Sequence, residues 1–363
     1  MKLLLAGGGT GGHLFPGIAL AQLLLRQEKD AEVLFVGTRQ GLEQRLLPQL
    51  GLPLATVSMA GVVGRGWRGR LELLPKLLRS LWQGKKILTR FGPDIVIGLG
   101  GYASVPVLLA AKLAGIPYLV HEQNAVPGLS NRLLSRWAKL VCLSFSNSGG
   151  NLPAAKIRVT GNPLRSELER IPEQVDARGT LLVFGGSRGA RALNEVMLEL
   201  LPRLKDWEQP PAILHQTGHE DLEQVRQGYA AANYQHARVV PFIDDMVSAY
   251  REAALVICRA GATTLAELTV CGRPAILIPF PYAAADHQTS NARTLQQAGA
   301  ARLLAQSDLT AATLEETVAD LLGQPKLLQG MAEKARQLGL PGAAERILNE
   351  CRQLLGRPAV EVD

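Results

Sequence analysis

Two short apolar runs in this chain each break into a glycine-rich turn and then a helical pattern, and no other feature narrows the possible folds as much. The first run, Lys2 to Ala6, leads into Gly7-Gly8-Gly9-Thr10-Gly11-Gly12-His13 and an apolar helix carrying Leu14, Ile18, Leu20, Ala21, Leu23 and Leu24. The second, Leu181-Leu182-Val183-Phe184, leads into Gly185-Gly186-Ser187-Arg188-Gly189-Ala190 and another helical run. Strand, glycine turn and helix open a doubly wound α/β unit, in which backbone amides approach a bound anion and the helix N-terminus favours negative charge. One opening in each half of 363 residues fits the two domains that such a length supports.

The intervening pattern agrees. β-rich runs at Glu32 to Val36, Asp94 to Leu99, Tyr118 to His121 and Leu140 to Leu143 alternate with helical stretches. The alternation restarts at Gly179 to Phe184 and continues through Ala212 to Gln216, Ala237 to Val240, Leu255 to Cys258 and Pro274 to Ile278. This predicts an α/β chain of two Rossmann-like halves with parallel sheets, and a cleft between them with a phosphate site on at least one wall. Gly161-Asn162-Pro163-Leu164-Arg165 and the polar stretch from Pro172 to Gly179 read as the linker, because Asn-Pro and Gly disfavour continuous helix. Gly339-Leu340-Pro341-Gly342 stops one helix and aims the next elsewhere.

Composition narrows the function. No uncharged apolar stretch approaches the roughly 18 residues that span a bilayer, and the N-terminal apolar run is too short for a signal peptide, so a soluble or peripheral protein is expected. The four cysteines, Cys142, Cys258, Cys271 and Cys351, are widely spaced without a CxxC pair, which suggests neither zinc nor a disulfide framework. Residues 1–160 hold 19 Lys+Arg against 7 Asp+Glu, whereas the remainder holds 20 against 25. A basic first half expects an anionic partner, nucleic acid or membrane. No aromatic-basic stacking motif or zinc signature supports nucleic acid.

The polar residues at predicted strand ends carry the chemistry. His13, at the mouth of the first glycine turn, either takes a proton near neutral pH or packs at the helix start; spacing alone does not choose. A dinucleotide fingerprint would want an acid at the end of the second strand, which reads Val36-Gly37-Thr38-Arg39 instead. Ser187 can donate its hydroxyl to a phosphate. Residues 258–268, Cys-Arg-Ala-Gly-Ala-Thr-Thr-Leu-Ala-Glu-Leu, open another helix, where amides suit a diphosphate and Glu267 suits the two hydroxyls of a ribose. Gln288 and Asn291 carry amides suited to sugar hydroxyls.

Taken together, Gly8 to His13, Gly100-Gly101-Tyr102-Ala103-Ser104, His121-Glu122-Gln123-Asn124, Gly161 to Arg165, Gly185 to Ala190, Arg259 to Glu267 and His287-Gln288-x-x-Asn291-Ala292 resemble the MurG-type enzymes. That family transfers N-acetylglucosamine from its uridine diphosphate donor to lipid-linked N-acetylmuramyl-pentapeptide in peptidoglycan synthesis. The resemblance covers nearly the whole chain and implies the glycosyltransferase B fold, two Rossmann-like domains facing across a cleft. It implies a membrane- and acceptor-binding domain over residues 1–162, a UDP-sugar domain over 163–340, and a C-terminal helix over 341–363 that returns to the first domain.

The same resemblance implies donor contacts from Thr10, Gly11, Gly12, Asn124, Arg165, Ser187, Ile243, Ala262, Thr263, Thr264, Leu265, Ala266, Glu267 and Gln288. Ile243 would present its backbone to the uracil, Glu267 would hold the ribose and Ser187 the phosphates. An α-linked donor giving a β-1,4 product requires inversion, hence a base for the acceptor 4-hydroxyl. His13 is the first candidate and Glu122 the second, with shaping of the site an equal alternative for Glu122. No DxD motif occurs to hold a metal, and no cofactor is implied; helix N-termini, Ser187 and Arg165 could meet the leaving charge.

An undecaprenyl-linked acceptor, lipid I, places such an enzyme on the cytoplasmic face of the bacterial inner membrane as a peripheral protein, in the company of other cell-wall synthesis proteins. The stretch from Leu71 to Trp82, with Arg65, Trp67, Arg68 and Arg70 before it and Lys85, Lys86 and Arg90 after, reads as an interfacial helix for anionic lipid. Trp67, Leu74, Leu78, Trp82, Lys85 and Lys86 form the expected membrane face. A basic side on an ordinary core helix is the competing reading. UDP-N-acetylglucosamine 2-epimerases are the rival enzymes on this architecture and need no such face.

Overall fold

The computed structural model describes residues 1–59, 73–146, 148, 150 and 152–360. By internal contacts the chain divides into two compact units, Met1–Leu164 with Gly342–Asp363, and Arg165–Pro341.

The first unit is built on seven parallel strands: β1 (Lys2–Gly7), β2 (Glu32–Gly37), β3 (Leu54–Thr56), β4 (Ile95–Gly100), β5 (Tyr118–Glu122), β6 (Leu140–Leu143) and β7 (Ile157–Val159). Their order is β3-β2-β1-β4-β5-β6-β7. Helices α1 (Gly11–Gln27), α2 (Glu43–Gln49), α3 (Leu73–Phe91), α4 (Ser104–Leu113) and α5 (Leu129–Ser135) connect them. With both faces covered, a parallel strand reads as a continuous apolar run, and β4, Ile-Val-Ile-Gly-Leu-Gly, is buried throughout. Alternate residues of β1 feed opposite faces. Leu3 and Leu5 join Leu14, Leu20 and Leu24 of α1, while Leu4 and Ala6 join Val107 and Leu108 of α4.

The C-terminal helix α13 (Ala343–Leu354) belongs to this unit and packs beside α1. Its Ile347, Leu348 and Cys351 enter the same apolar cluster as Leu14 and Leu24. Arg352, 2% exposed, donates to Glu28 and Gln27 at the end of α1, and Arg346 donates to the Thr160 carbonyl at 2.8 and 3.0 Å.

The second unit has six parallel strands: β8 (Thr180–Phe184), β9 (Ile213–Gln216), β10 (Ala237–Val240), β11 (Ala253–Cys258), β12 (Ala275–Leu277) and β13 (Ala301–Leu303), in the order β10-β9-β8-β11-β12-β13. Around them lie α6 (Arg191–Lys205), α7 (Leu222–Ala231), α8 (Met246–Glu252), α9 (Ala262–Cys271), α10 (His287–Gln297), α11 (Ala311–Leu322) and α12 (Pro325–Leu338). The break expected at residues 339–342 separates α12 from α13, with Gly342 left-handed at φ +69°.

In each sheet the strand order reverses once, between β1 and β4 and between β8 and β11. Such a reversal opens a crevice at the carboxyl ends of the two strands, where ligands of doubly wound sheets bind. The glycine turns at residues 7–12 and 100–101 occupy one crevice, and the segments 185–190 and 259–267 the other.

Candidate active site

In the first unit the β1 turn is shaped from beneath by Glu43. This carboxylate is fully buried; Oε2 accepts from the Gly9 amide at 2.9 Å and Oε1 from the Thr38 amide at 2.8 Å. A Cβ on Gly8 would meet Glu43 Oε1 at 2.6 Å, which is why the turn admits no side chain there. The acid that a dinucleotide site would aim at a ribose thus lies a few residues beyond β2, and it is consumed within the protein. Thr10 is the extended N-cap of α1 (φ −131°), and Gly11, Gly12 and His13 form its first turn.

His13 is half-buried and reaches the end of β4. Gly100, at φ +90°, leaves room for it: a Cβ there would stand 3.0 Å from the imidazole Cε1. His13 Nδ1 lies 3.2 Å from Gln123 Oε1, and Gln123 in turn contacts the Leu99 carbonyl and His121. Burial pushes His121 down to about 4, with the Gly161 carbonyl working against the shift, so it stays neutral.

Glu122 is 1% exposed and its two oxygens accept four hydrogen bonds. Oε1 takes the Asn124 amide (2.9 Å) and Asn124 Nδ2 (3.3 Å); Oε2 takes the Gly128 amide (2.9 Å) and Asn131 Nδ2 (2.8 Å). It therefore ties residues 124–131 to the end of β5 and orients Asn124.

In the second unit the 185–190 turn interlocks with the end of β9. Cβ atoms on Gly189 and Gly218 would collide with the Thr217 and Arg188 carbonyls at 1.9 and 2.2 Å, and both glycines are left-handed. Gln216 Nε2 donates to the carbonyls of Gly186 (3.0 Å) and Pro241 (3.2 Å), so one buried amide joins the Ser187 turn to the segment carrying Ile243.

Helix α9 begins at Ala262 after Gly261, an N-cap without a side chain. Thr263, Thr264, Leu265 and Ala266 make its first turns. Glu267 follows, half-buried, accepting from Tyr250 Oη at 2.8 Å. Burial raises its carboxyl to about 7, opposed by the Tyr250 hydrogen bond and by Arg165. Arg259 supports the neighbouring loop: it donates to the carbonyls of Ile278 and Pro279 and to Gln306, and lies over Phe280. Gln288 accepts from the Phe280 amide at 2.9 Å, beside Ala285 and Asp286, both left-handed at φ 52° and 50°.

The helix expected to meet lipid, α3, lies in the first unit. Helix α3 exposes Leu78 and Trp82 at 58% and 64%, and Lys86 lies over the Trp82 ring at 5.6 Å. Lys85 is exposed as well. Trp67, with Arg65, Arg68, Arg70, Leu71 and Glu72, lies outside the described residues, and of Leu74 only the backbone is described. No helix among the described residues is long and apolar enough to cross a membrane.

The comparisons with known proteins agree with the two halves. The N-terminal domain of glycosyltransferase family 28 matches residues 3–143, and the C-terminal domain of that family matches residues 180–347. Over 357 residues the chain is 56% identical to the UDP-N-acetylglucosamine--N-acetylmuramyl-(pentapeptide) pyrophosphoryl-undecaprenol N-acetylglucosamine transferase of Syntrophotalea carbinolica, an alignment spanning 98% of this chain and 100% of that protein. The chain belongs to this transferase family.

Among solved structures, the transferase family is represented by MurG of Acinetobacter baumannii, 36% identical, covering 97% of this chain and 99% of that one with a TM-score of 0.77. The two parallel Rossmann-like sheets are those of the glycosyltransferase B class. A putative UDP-N-acetylglucosamine 2-epimerase from Listeria monocytogenes shares the fold (TM-score 0.69, 16% identity, 100% of this chain and 99% of that one), and at that identity the likeness extends to fold alone.

Glu43, Gln216 and Tyr250 carry no functional signal in the sequence. No local pattern marks them: each lies away from the glycine turns in sequence and meets the candidate residues of its own unit only through strand order. Gln123 was visible inside the His121-to-Asn124 motif, but its role depends on a side-chain contact with His13, 110 residues away.

Proposed function

We propose a division of labour among the residues above for the reaction of this family. The chain is a UDP-N-acetylglucosamine-dependent hexosyltransferase. It moves N-acetylglucosamine to the 4-hydroxyl of the N-acetylmuramyl unit of undecaprenyl-pyrophosphoryl-N-acetylmuramyl-pentapeptide, lipid I, giving lipid II for peptidoglycan.

His13 removes the proton from the acceptor 4-hydroxyl as that oxygen bonds to the anomeric carbon. The bond from that carbon to the diphosphate breaks on the opposite face, and UDP leaves with the electron pair. The observation that carries this reading is the placement of His13 at the β1/β4 reversal, with Gly100 shaped to admit its ring. General-base help of this kind supplies about 10²–10⁴ in rate. The four hydrogen bonds accepted by Glu122 favour a shaping role for it, because each oxygen is already engaged.

Glu267 accepts the ribose hydroxyls, the backbone of Ile243 meets the uracil, and Ser187, Arg165 and the first turn of α9 stabilise the diphosphate. Thr10, Gly11, Gly12, Asn124 and Gln288 complete the donor contacts. Leu78, Trp82, Lys85 and Lys86 of α3, with Trp67 and Leu74, bring the enzyme to an anionic membrane surface on the cytoplasmic side, where its lipid substrate and other cell-wall synthesis proteins are found.

The test is incubation with UDP-N-acetylglucosamine and a lipid I analogue, with and without chelator, comparing the wild type with His13→Ala. The wild type should form the disaccharide in both conditions. The variant should lose about 10² or more in kcat while its donor KM changes little. Normal turnover by the variant removes His13 as base.

A further inference from the structure

The hydrogen bonds behind His13 fix where its proton sits. Gln123 is 1% exposed and His121 fully buried, and two backbone carbonyls, which can only accept, anchor the ends of the chain they form. The Gly161 carbonyl lies 3.1 Å from His121 Nε2, so that nitrogen carries the hydrogen. Ser144 Oγ, 3.3 Å from the same nitrogen, is placed to accept from it as well. His121 Nδ1 then holds the lone pair, and it faces Gln123 Nε2 at 3.1 Å.

Gln123 Nε2 also donates to the Leu99 carbonyl at 2.9 Å. Both amide hydrogens are thereby used, and the oxygen end, Oε1, is the one 3.2 Å from His13 Nδ1. Turning the amide round would set its oxygen against the Leu99 carbonyl and the His121 lone pair, two acceptor–acceptor contacts in a buried site, each costing a hydrogen bond. Protonating His121 instead would place an unpaired cation in the core, and burial opposes that. A carbonyl oxygen cannot donate, so His13 must supply the hydrogen from Nδ1.

We infer that Gln123 is a positioning residue for the transfer reaction: it holds the His13 ring as the Nδ1–H tautomer, so that a proton taken from the acceptor hydroxyl is received at Nε2. The inference rests on the reading of His13 as the base. The orienting group here is an uncharged amide, which selects the tautomer without lending the ring a carboxylate's negative charge. Loss of the correct tautomer in a histidine-based site costs up to about 10⁴ in kcat, and loss of one neutral orienting bond should cost less, about 10–10².

The experiment uses the full chain labelled with ¹⁵N-histidine, which has six histidines, with His13→Gln identifying the His13 signals. At a pH where those signals no longer titrate, the proposal expects Nδ1 to resonate as a protonated, pyrrole-type nitrogen and Nε2 as an unprotonated, pyridine-type one. The reverse assignment overturns it. In Gln123→Leu the two tautomers should mix, kcat should fall about 10–10²-fold, and donor KM should stay within about threefold; unchanged kcat overturns the catalytic half. A merely structural loss would lower stability without mixing the tautomers. If His13→Ala turns over normally, the base reading fails by itself, and the wild-type ¹⁵N signals still decide the tautomer.

Discussion

Tyr250, on α8, donates its phenolic hydrogen to Glu267, on α9, at 2.8 Å, so the ribose candidate is held from a neighbouring element. The ring is fully buried, meets Phe184 edge-on at 6.2 Å, and its backbone carbonyl accepts from Arg273 Nε. One carboxylate oxygen is therefore fixed, and its partner is oriented with it.

Donor affinity should depend on pH through this pair. Burial raises Glu267 to about 7, and the groups that act on it or feel its charge are Tyr250, Arg165, Cys258 and Cys271. The ionised form is the better acceptor of ribose hydroxyls, so donor KM should fall about tenfold between pH 6 and pH 8. Tyr250→Phe removes a bond that favours ionisation and should move that transition to higher pH. Glu267→Gln should flatten it. Folding runs the other way: because the folded value lies above the unfolded one, this group stabilises the protein most below about pH 4.5, and that contribution is lost as pH rises through 7. Steady-state KM against pH for the three proteins checks the prediction, and a flat wild-type profile contradicts it.

Gly100→Ala tests the space around His13. The new methyl would stand 3.0 Å from the imidazole Cε1 at a residue whose φ is +90°. A left-handed non-glycine residue costs about 1–2 kcal/mol, which a domain of this size should survive. Crowding the ring should lower kcat by about tenfold or more with little change in donor KM. Thermal unfolding beside steady-state kinetics separates the two effects, and unchanged kcat in a folded variant speaks against the placement of His13.

Sequence alone reveals the strands that are buried on both faces, since their composition is forced: residues 3–6, 95–99 and 255–258 of the runs it marks are apolar throughout. The three strands it misses, β3, β7 and β13, are three residues each and lie at the outer edges of the sheets, where one side has no neighbouring strand among the described residues and the apolar signal thins. Glycine turns mark the strand ends that matter, because a Cβ at Gly8 or Gly189 would strike Glu43 or Thr217. The partners that hold the candidate residues in each unit, Gln123 behind His13 and Tyr250 beside Glu267, depend on strand order and side-chain direction, which periodicity does not encode.

Arg352→Met should loosen the C-terminal helix. Arg352 is buried and pairs with Glu28 at 3.0 Å, and the Met1 ammonium reaches the same carboxylate at 2.8 Å. Burial works against ionised Glu28, but hydrogen bonds from the Met1 ammonium and Arg352 prevail and lower its value. That stabilisation is present above about pH 4.5 and lost as pH falls through the folded value. Breaking the pair should cost about 2–4 kcal/mol at neutral pH, less than for a fully buried pair because Glu28 remains 26% exposed. Denaturant unfolding at pH 7 and pH 3.5 should show a deficit that shrinks in acid; a constant deficit would assign the effect to packing.

Leu78 and Trp82 stand on α3 at 58% and 64% exposure, with Lys86 over the indole ring. Residues so exposed contribute little to the core, so Leu78→Ser/Trp82→Ser should leave the unfolding temperature nearly unchanged. A surface helix presenting Leu and Trp with cations alongside partitions into the headgroup region, gaining from apolar burial and from about 1 kcal/mol per lysine near an anionic surface. The double variant should therefore bind vesicles containing anionic phosphatidylglycerol about tenfold or more weakly, and Lys85→Glu/Lys86→Glu should weaken binding chiefly at low salt. Activity against a soluble, short-chain lipid I analogue should survive in both variants, because the loss is in reaching the membrane and the chemistry is untouched. Equal vesicle binding by wild type and both variants would place the lipid contact elsewhere on the protein.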